Sequence, residues 1–280
     1  MAPVLMDDES LPDVLMVGCG DLGADIGLRL AARGHGVVAI RRRADLVPPP
    51  LVGVSADLSR EVPVLPPLAL GLLVVTLTAR PRTEESYRAT YVDGMARALD
   101  ALDSAGQVPR RAVLISSTGV YGDATSDAPL DETTTPLPSD GPARMLLEAE
   151  RVFTRRVPTG TVLRLSGLYG HSEPRLLQQV RAGEVTDPNR WTNRIHRDDA
   201  AGAAVHLLTL DGTPAGLYIG TDDEPALLGD VAAHLATGLD VPEPPAADPA
   251  LGHGRRLSNA RLRSTGWVPE HPTYREGYQA

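Results

Sequence analysis

The chain has 280 residues, 42% of them hydrophobic, and a formal net charge of -9 at pH 7. This composition is typical of a globular protein with a sizeable core, and the negative charge disfavours nucleic acid as a partner. The single cysteine, Cys19, excludes an internal disulfide, and the absence of a zinc-type cluster of cysteine and histidine predicts no metal site.

The first residues, MAPVLMDDESLPD, are acidic and lack the basic and apolar regions of a signal peptide. The sequence contains no apolar run of the length needed to cross a membrane. We therefore expect a cytoplasmic protein with no membrane partner. The lysine-free composition, rich in Ala, Arg, Gly and Pro, suggests a bacterial source.

The first strongly patterned stretch is a glycine-rich turn between a strand and a helix. An apolar run, Val14 to Val17, leads into Gly18-Cys19-Gly20-Asp21-Leu22-Gly23, and helix-forming residues follow to about Arg33. In this G-x-G-x-x-G pattern the first glycine allows a tight turn, the second lets a pyrophosphate approach the backbone, and the third lets helix pack on strand. Free N–H groups and the helix dipole favour phosphate there. The pattern predicts dinucleotide binding by Gly18, Gly20, Asp21, Leu22 and Gly23.

A second strand is predicted at Val37 to Ile40, and it is followed directly by Arg41, Arg42 and Arg43. Connections of this strand–helix–strand kind are local and right-handed, so the two strands should be parallel neighbours. At this position an acidic residue would bind the ribose 2′-OH of NAD, whereas arginine suits the 2′-phosphate of NADP. The sequence therefore favours NADP(H) over NAD(H), the alternative being a solvated basic loop.

Two more strands are predicted, a short one at Val52 to Val54 and a buried one at Leu72 to Leu77. Asp57 and Leu58, after the first of them, are candidates for contact with the adenine, although capping or turn formation explains Asp57 nearly as well. Ligands of doubly wound sheets bind outside the carboxyl ends of the strands. We therefore expect the backbone at Thr76-Leu77 to line the cofactor.

The next elements alternate between helix and strand. The predicted elements are a helix from Thr83 to about Ala105, a strand from Ala112 to Ile115, a helix from Ala143 to about Arg156 and a strand from Thr161 to Leu165. The fifth strand runs into Ser116-Ser117-Thr118-Gly119-Val120-Tyr121-Gly122, whose polar residues should touch substrate. The polar, proline-rich stretch from Asp123 to Pro142 is interpreted as a surface loop that acts as a lid.

Beyond Leu165 the pattern loosens. Helices are predicted at Arg175 to Ala182, from a cap at Asp198-Asp199 to Leu210, and at Ala226 to Thr237, with a strand at Gly216 to Ile219. The whole pattern predicts an α/β fold: a Rossmann-type doubly wound parallel sheet with a smaller C-terminal α/β substrate domain. We place the NAD(P)-binding domain at residues 1–165 and the substrate domain at 166–280, with segments free to cross between them.

Several stretches together resemble the extended short-chain dehydrogenases/reductases of the NAD-dependent epimerase/dehydratase superfamily. These are VGCGDLG, SSTGVYG, LRLSGLYG, NRIHRDD and the tail RRLSNARLRSTGW, which follow one another in the family's order over nearly the whole chain. The resemblance implies a Rossmann domain that holds NAD(P), a carboxyl-terminal substrate domain, and chemistry that begins with hydride transfer at C4 of the nicotinamide. Family members often dimerise through the two long helices, here Thr83 to Ala105 and Ala143 to Arg156, so a homodimer is compatible with the sequence.

The resemblance also shows where this chain departs from its family. Ser117 stands at the position of the catalytic serine, and Tyr-x-x-x-Lys should follow in the helix after the loop. Alignment through Glu148 puts Asp140 at the tyrosine position and Arg144 at the lysine position, and the chain has no lysine. Asp140 or Ser139 is better explained as a helix N-cap. Arg144 either contacts the cofactor in place of the lysine or forms a surface pair with Glu148.

Another acid or base is therefore needed. Tyr121, Tyr169 and His196 are candidates, although Tyr121 could instead line the pocket and His196 could instead pack beside Asp198. The predicted catalytic residues are Ser117, Tyr121 and Arg144. The predicted substrate-binding residues are Thr118, Tyr121, Tyr169, Trp191 and Asn193, with Trp191 equally compatible with a place in the core.

These features predict an atypical NADP(H)-binding short-chain dehydrogenase/reductase-like enzyme. It would transfer hydride to or from a carbonyl- or imine-type carbon of a small molecule, with Ser117 polarising the reacting group and Tyr121 or water supplying the proton. Two alternatives stay open: a catalytically silent NAD(P)-binding sensor or scaffold, and a Rossmann cleft used for non-redox dehydration, isomerisation or cyclisation. The fold alone does not choose among them.

Overall fold

The computed structural model describes residues 13–124, 128–170 and 175–278. The strands of these residues are β1 Asp13–Val17, β2 Val37–Arg41, β3 Val52–Ser55, β4 Leu70–Val75, β5 Arg111–Ser117, β6 Gly160–Leu165, β7 Gly167–Tyr169, β8 Trp191–Thr192, β9 Arg194–His196, β10 Leu217–Gly220 and β11 Ala226–Leu227. The α-helices are α1 Asp21–Ala31, α2 Glu84–Tyr87, α3 Met95–Ser104, α4 Gly141–Arg156, α5 Arg175–Ala182, α6 Arg197–Thr209, α7 Leu228–Leu239, α8 Ala260–Arg263 and α9 Tyr274–Gly277.

A seven-stranded parallel sheet forms the centre of the molecule, in the order β10-β6-β5-β4-β1-β2-β3. The chain leaves β1 in one direction through β2 and β3 and then returns to its other side as β4. A crevice opens outside the carboxyl ends of the strands where the order reverses in this way, and ligands of such sheets bind there. The predicted Rossmann-type α/β fold is confirmed.

Helices cover both faces of the sheet, as the nearly continuous apolar strands require. On one face Val14 and Met16 of β1 join a buried cluster with Ile26 of α1 and the alanine-rich α6. On the other face Leu15 belongs to a second cluster, formed with α3 and α4. The two clusters make the domain a three-layer structure with the sheet in the middle.

The segment predicted as one helix from Thr83 to Ala105 consists of three parts. The helix α2 begins after Thr83, whose hydroxyl oxygen accepts a hydrogen bond from the N–H of Ser86 at 3.2 Å. A π-helical stretch, Arg88–Gly94, then leads into α3. Such widened turns are rare and frequently occur at functional sites.

The carboxyl-terminal half contributes short paired strands and one strand of the main sheet. The strand β7 pairs with β9 in parallel and β8 pairs with β11 antiparallel, while α5 and α7 share a separate apolar cluster. The strand β10 returns to the main sheet and pairs with β6, Leu217 lying opposite Val162. Within the described ranges, we find no helix long and apolar enough to cross a membrane.

One predicted cap is corrected by the structure. His196, rather than Asp198-Asp199, is the N-cap of α6, because its Nδ1 accepts a hydrogen bond from the N–H of Asp198 at 3.3 Å. The two aspartates lie in the first turn, where the positive end of the helix dipole stabilises their negative charge. Asp140 is the N-cap of α4, as predicted, since its carboxylate accepts from the N–H of Ala143 at 2.7 Å.

Candidate active site

A cavity of about 480 Å³ lies at the carboxyl ends of β1, β2 and β4, and we call it the glycine-loop cavity. Its lining includes Gly18, Gly20, Arg41, Arg42, Asp57, Leu58, Thr76 and Leu77. Seven residues of the loop that follows β4 and of the helices beyond it close the opposite side. The cavity therefore occupies the crevice that the strand order creates.

The three glycines of the turn have different surroundings. At Gly18, where φ is +95°, a Cβ would lie 2.5 Å from the carbonyl oxygen of Thr76, and at Gly23 a Cβ would lie 2.9 Å from the oxygen of Gly18. At Gly20, by contrast, no described atom lies within 4 Å of that position. The turn is thus packed tightly from beneath and open above Gly20, at the N-terminus of α1. This arrangement fits the diphosphate of a dinucleotide.

Charged side chains line the outer part of the glycine-loop cavity. Arg41 donates a hydrogen bond from Nη1 to the carbonyl oxygen of Leu46 at 2.9 Å, and Arg42 is exposed. The carboxylate of Asp57 accepts hydrogen bonds from the hydroxyl of Ser59 at 2.6 Å and from its N–H at 3.1 Å. These bonds lower the pKa of Asp57, so both charge signs meet at this rim.

A second cavity of about 300 Å³ adjoins the first, and we call it the serine cavity. The two share Gly20 and the backbone at residues 76–78. Ser116, Ser117 and Ser166 line the second cavity from the ends of β5 and β6. The Oγ atom of Ser117 accepts a hydrogen bond from the N–H of Gly119 at 3.1 Å, which fixes the oxygen and lets its own proton point elsewhere.

A buried polar network lies behind the serine cavity. Ser116 donates from Oγ to Oε1 of Glu150 at 2.5 Å, and Arg164 binds both oxygens of the same carboxylate, with Nη2 at 2.7 Å from Oε2 and Nε at 3.0 Å from Oε1. Arg164 also donates from Nη1 to the hydroxyl of Tyr121 at 2.9 Å, which in turn donates to the carbonyl of Asp131 at 3.2 Å. Burial raises the pKa of Tyr121. The network fixes the strand ends beneath the cavity.

A third cavity of about 400 Å³ meets the serine cavity at Leu168, and we call it the arginine cavity. Its lining includes Arg175, Arg190, Arg194 and Arg197. Nη1 of Arg194 and Nε of Arg197 are buried without a partner in the described residues. Buried donors are normally satisfied, so these two nitrogens are exceptions among the described residues.

A buried carboxyl group lies close to the arginine cavity. Asp222 is 1% exposed, and no side chain of the described residues hydrogen-bonds to either of its oxygens. Burial raises its pKa to about 8, against the opposing effects of Arg194 and of the backbone N–H of Glu224. Asp222 also raises the pKa of Tyr169, a residue of the cavity lining, although burial raises it more. A neutral carboxyl group can therefore persist here at neutral pH.

The chain resembles a solved structure throughout its length. A candidate NAD-dependent epimerase/dehydratase from Methylobacillus flagellatus is 34% identical, with a TM-score of 0.81, and the alignment covers 96% of this chain and 97% of that one. The chain belongs to the NAD-dependent epimerase/dehydratase family. The fold and the order of the motifs agree with this assignment.

More distant structures share the family fold. The UDP-glucose 4-epimerase of Thermotoga maritima, solved with UDP-glucose, is 16% identical with a TM-score of 0.75 and coverage of 95% and 96%. The UDP-glucose 4-epimerase of Thermus thermophilus, solved with NAD, is 20% identical with a TM-score of 0.72 and the same coverage. No protein-family model matches the chain, and the search of curated proteins gave no match.

Most residues predicted for the cofactor lie at the first two cavities of this epimerase/dehydratase-family protein. Asp21 and Leu22 line the serine cavity, and Gly23 packs against Thr76 without lining either cavity. The other predicted residues line the glycine-loop cavity, namely Gly18, Gly20, Arg41, Arg42, Asp57, Leu58, Thr76 and Leu77. The structure thus brings together the groups that the glycine motif and the strand ends predicted, and leaves their ligand to be tested.

The predicted catalytic residues are separated by the structure. Ser117 lines the serine cavity, whereas Tyr121 is 0% exposed and has its hydroxyl in the buried network. Thr118 is buried and does not belong to the cavity lining. Arg144 lies on the outer surface, where its Nη2 is 3.0 Å from Oε2 of Glu84. Neither Tyr121 nor Arg144 lines the serine cavity, where the sequence predicted that both would act.

The position of Arg144 revises the alignment of α4. The glutamate that faces the interior is Glu150, 5% exposed, whereas Glu148 forms surface pairs with Arg151 at 3.6 Å and with Arg155. The helix positions that reach the serine cavity are Ala143 and Leu146. Taking Glu150 rather than Glu148 as the family's glutamate moves the Lys position to residue 146 and the Tyr position to residue 142. An apolar wall, including the buried Pro142, therefore stands where the dyad is expected.

The predicted substrate-binding residues also lie in different places. Tyr169 and Asn193 line the arginine cavity. Trp191 lies outside that lining and has the guanidinium of Arg256 over its ring, 5.2 Å from the centroid. The predicted lid falls within residues 123–142, of which 125–127 lie outside the described residues.

His196 is held in a cluster with other charged groups. Its ring stacks on that of His271, with centroids 3.8 Å apart, and Nδ1 of His271 is 3.1 Å from Oδ2 of Asp199. Ligand atoms of His196, Asp198 and His271 lie within 4.8 Å of one another. Hydrogen bonds to Asp198 and Asp199 already engage both Nδ1 atoms, so the cluster joins the chain's last segment to α6.

Sequence reasoning missed the groups that face Ser117 and those of the third cavity. Arg82, Tyr87 and Tyr91 line the serine cavity from the side opposite β5. The two tyrosines are four residues apart, a spacing that places side chains on one helix face, and this was the available signal. The four arginines of the arginine cavity come from separate elements, so no local motif marks them.

Proposed function

We propose that the chain is an atypical enzyme of its family that binds NADP(H) across the glycine-loop and serine cavities and transfers hydride to or from a carbonyl- or imine-type carbon of a small molecule. The observation that carries the proposal is the open space above Gly20, between the tightly packed Gly18 and Gly23 and next to the cavity that holds Ser117. Such a space suits a diphosphate, and the adjoining cavity supplies a hydroxyl group.

The residues that would hold the coenzyme are those of the two linings. The N–H groups at Gly20 and at the start of α1 would bind the diphosphate, and Leu58 would contact the adenine. Arg41 and Arg42 support NADP(H) over NAD(H), because a guanidinium matches the geometry and charge of a 2′-phosphate. Asp57 would then hydrogen-bond to the adenosine from the other side of the rim.

The arginine cavity supports an anionic substrate. Four arginines line a space that adjoins the serine cavity at Leu168. Among proteins that share the fold, two have been solved with UDP-glucose, and a diphosphate is the type of group that guanidinium pairs bind well. We infer a small molecule whose phosphate or carboxylate lies in the arginine cavity and whose reacting carbon lies beside Ser117.

When bound, a reduced nicotinamide coenzyme supplies a hydride. The chain's own part is to place the substrate carbonyl within reach of the Ser117 hydroxyl, whose proton is free to donate while its oxygen accepts from Gly119. Such a hydrogen bond stabilises the negative charge that develops on the substrate oxygen. The apolar wall at Ala143 and Leu146 excludes water from that side.

The division into a coenzyme domain at 1–165 and a substrate domain at 166–280 is part of the same proposal, with β10 crossing back to the first sheet. A homodimer through α3 and α4 is compatible with it. The helices α3 and α4 lie side by side on one face of the sheet, and Arg156 of α4 binds Asp100 and Asp103 of α3 at 2.7 and 2.6 Å.

Fluorescence titration with NADPH and with NADH tests the proposal. We expect NADPH to bind at micromolar concentration and NADH at least tenfold more weakly. The Ser117→Ala variant should bind NADPH as the wild type does, yet lose turnover of phosphorylated carbonyl compounds by 10²-fold or more, the usual range for an acid-assisted step. Failure of both coenzymes to bind at millimolar concentration would refute the proposal.

A catalytically silent sensor is the second candidate, and the apolar wall of α4 favours it. Pro142, Ala143 and Leu146 cannot transfer a proton, and the chain has no lysine to hold the nicotinamide ribose. A sensor would bind NADPH with the affinity expected above and show no turnover with any carbonyl compound, in the wild type as in Ser117→Ala.

A further inference from the structure

Two neighbouring helical segments of different character line the serine cavity. The start of α4 contributes the apolar side chains of Ala143 and Leu146. The segment from α2 into the π-helical stretch packs beside α4 and contributes Tyr87 and Tyr91, whose ring centroids are 5.1 Å apart. Groups that can donate a proton are therefore missing from the helix where the family carries its tyrosine and present on the segment beside it.

The backbone geometry accounts for the position of Tyr91. Tyr87 ends α2, and Tyr91 lies within the π-helical stretch Arg88–Gly94. A spacing of four residues keeps the two rings on one helix face, and the wider turn displaces the second ring relative to a regular helix. Tyr91 packs against the buried cluster beneath the cavity, so its ring is fixed at the cavity floor.

The phenol of Tyr91 lies close to the loop that follows β4. The backbone N–H of Ala79 in that loop favours the ionised phenol, and the residues just before it, Thr76 to Thr78, line both cavities. Burial, together with the neighbouring Tyr87, outweighs that effect and raises the pKa of Tyr91 to about 12. The phenol therefore keeps its proton at neutral pH and has one to donate.

The other polar groups of the cavity are less suited to that role. Arg82 forms an ion pair with Asp140 at 2.9 Å and keeps its proton. Asp21 is largely exposed, and its Oδ2 lies 3.2 Å from Nη1 of Arg197. Ser117 is well placed to polarise a carbonyl group, but an unassisted hydroxyl is a weak acid. A phenol is the stronger acid of the two, although burial narrows the difference at Tyr91.

We propose that Tyr91 is the proton donor of the reaction, acting from the segment beside α4 in place of the family's tyrosine. This inference rests on the proposed coenzyme function. In the reducing direction, a bound reduced nicotinamide coenzyme would supply the hydride: its C4–H bond would break to leave the oxidised coenzyme, a C–H bond would form at the substrate carbonyl carbon, and the C=O π pair would move onto oxygen. The O–H bond of Tyr91 breaks as that oxygen takes its proton, and solvent returns a proton to the phenolate.

A fluorine probe at a single position tests this placement without knowledge of the substrate. Replacement of Tyr91 by 3,5-difluorotyrosine keeps the ring and hydroxyl and lowers the phenol's intrinsic pKa, so ¹⁹F NMR can follow its titration at moderate pH. In the complex with NADP⁺ the nicotinamide carries a positive charge, which lowers the pKa of a phenol within about 4–6 Å by roughly one unit or more. We expect that lowering relative to the NADPH complex, where the ring is neutral.

The matched control is the same probe at Tyr87, which lines the same cavity one helical turn away. Its pKa should differ between the NADP⁺ and NADPH complexes by less than a third as much. If NADPH binds, by fluorescence, but the probe at position 91 titrates alike in both complexes, the assignment of Tyr91 is overturned. A larger difference at position 87 also overturns it. Absence of NADPH binding would instead refute the proposed function itself.

Discussion

The glycine-loop cavity and the serine cavity share the end of β4, yet they are built from different kinds of group. The first depends on backbone, since Gly18 fits closely beneath Thr76 and Gly20 leaves open space. The second depends on which side chains of α4 and of the facing helix point inward. A backbone site is marked in the sequence by glycine spacing. A side-chain site depends on helix phase, which an alignment error of two residues changes by about 200°.

The largest effect on stability is expected in the buried network behind the serine cavity, which depends on side chains. Arg164→Met leaves Glu150 buried without its partner, since the arginine makes three hydrogen bonds to that carboxylate. We expect the free energy of unfolding in urea to fall by about 3–5 kcal/mol. The control Arg151→Met, at a 62% exposed side chain of α4 next to Glu150, should cost less than about 1 kcal/mol. A loss below about 1 kcal/mol for Arg164→Met would show that the network does not hold the strand ends.

The next effect concerns the buried carboxyl group by the arginine cavity. Asp222 has a folded pKa of about 8, above an unfolded value of about 3.9. Between these values the folded chain keeps a proton that the unfolded chain releases, so the wild type loses stability as pH rises from about 4 to about 8. Asp222→Asn should remove that loss and be relatively more stable at pH 9, on the order of 3 kcal/mol.

Thermal unfolding at pH 5 and pH 9 measures this difference for the wild type, for Asp222→Asn and for the exposed control Asp211→Asn. The control should follow the wild type at both pH values. Identical pH dependence in all three proteins would mean that Asp222 is charged in the folded state and stabilised by Arg194.

The third prediction distinguishes an effect on folding from an effect on ligand binding at the glycine-loop cavity. Gly20→Ala should bind NADPH 10–100-fold more weakly, about 1.4–2.7 kcal/mol, because its Cβ occupies the space assigned to the diphosphate. Its melting temperature should stay that of the wild type, since no described atom lies near the added carbon. Gly18→Ala should lower both the NADPH affinity and the melting temperature, because φ is +95° and the Cβ would meet the Thr76 oxygen at 2.5 Å. Wild-type NADPH affinity in Gly20→Ala would place the diphosphate elsewhere.

The smallest effect is expected at Arg144, whose pair with Glu84 lies on the outer surface, 53% and 45% exposed. Arg144→Ala should change the free energy of unfolding by less than about 1 kcal/mol and leave NADPH affinity within twofold of the wild type. Isothermal titration and urea unfolding measure both. A tenfold fall in affinity would restore the alignment through Glu148 and bring this arginine to the ribose.

The sequence was sufficient for the order of the strands and for the glycine turn because both depend on local patterns. Apolar strands such as Val37–Arg41, followed by polar residues at their ends, give element order and face directly. The phase of α4 could not be read in this way, because Glu148 and Glu150 are both glutamates and only packing against Arg164 distinguishes them. The burial of Tyr121 likewise depends on packing, so the stretch SSTGVYG could not predict it.

Long-range placement explains the remaining gaps. The π-helical stretch that carries Tyr91 has no sequence signature of its own, and the arginines of the third cavity come from α5, β9 and α6 and from the segment before β8. Their proximity results from chain crossings that a linear pattern does not encode. Asp222 is similar, since its neighbours in sequence are acidic and typical of a surface turn, yet it is buried.

The strand β10 completes the main sheet from the far side of the chain, hydrogen-bonding to β6 over four residue pairs. A fragment ending at residue 165 would leave the β6 edge open for pairing with other chains. Chimaeras that exchange substrate halves between relatives must therefore carry β10 with its original sheet, with crossover points on both sides of residues 217–220. The pairing of β10 with β6 therefore links the two halves of the chain, whichever substrates the exchanged loops bind.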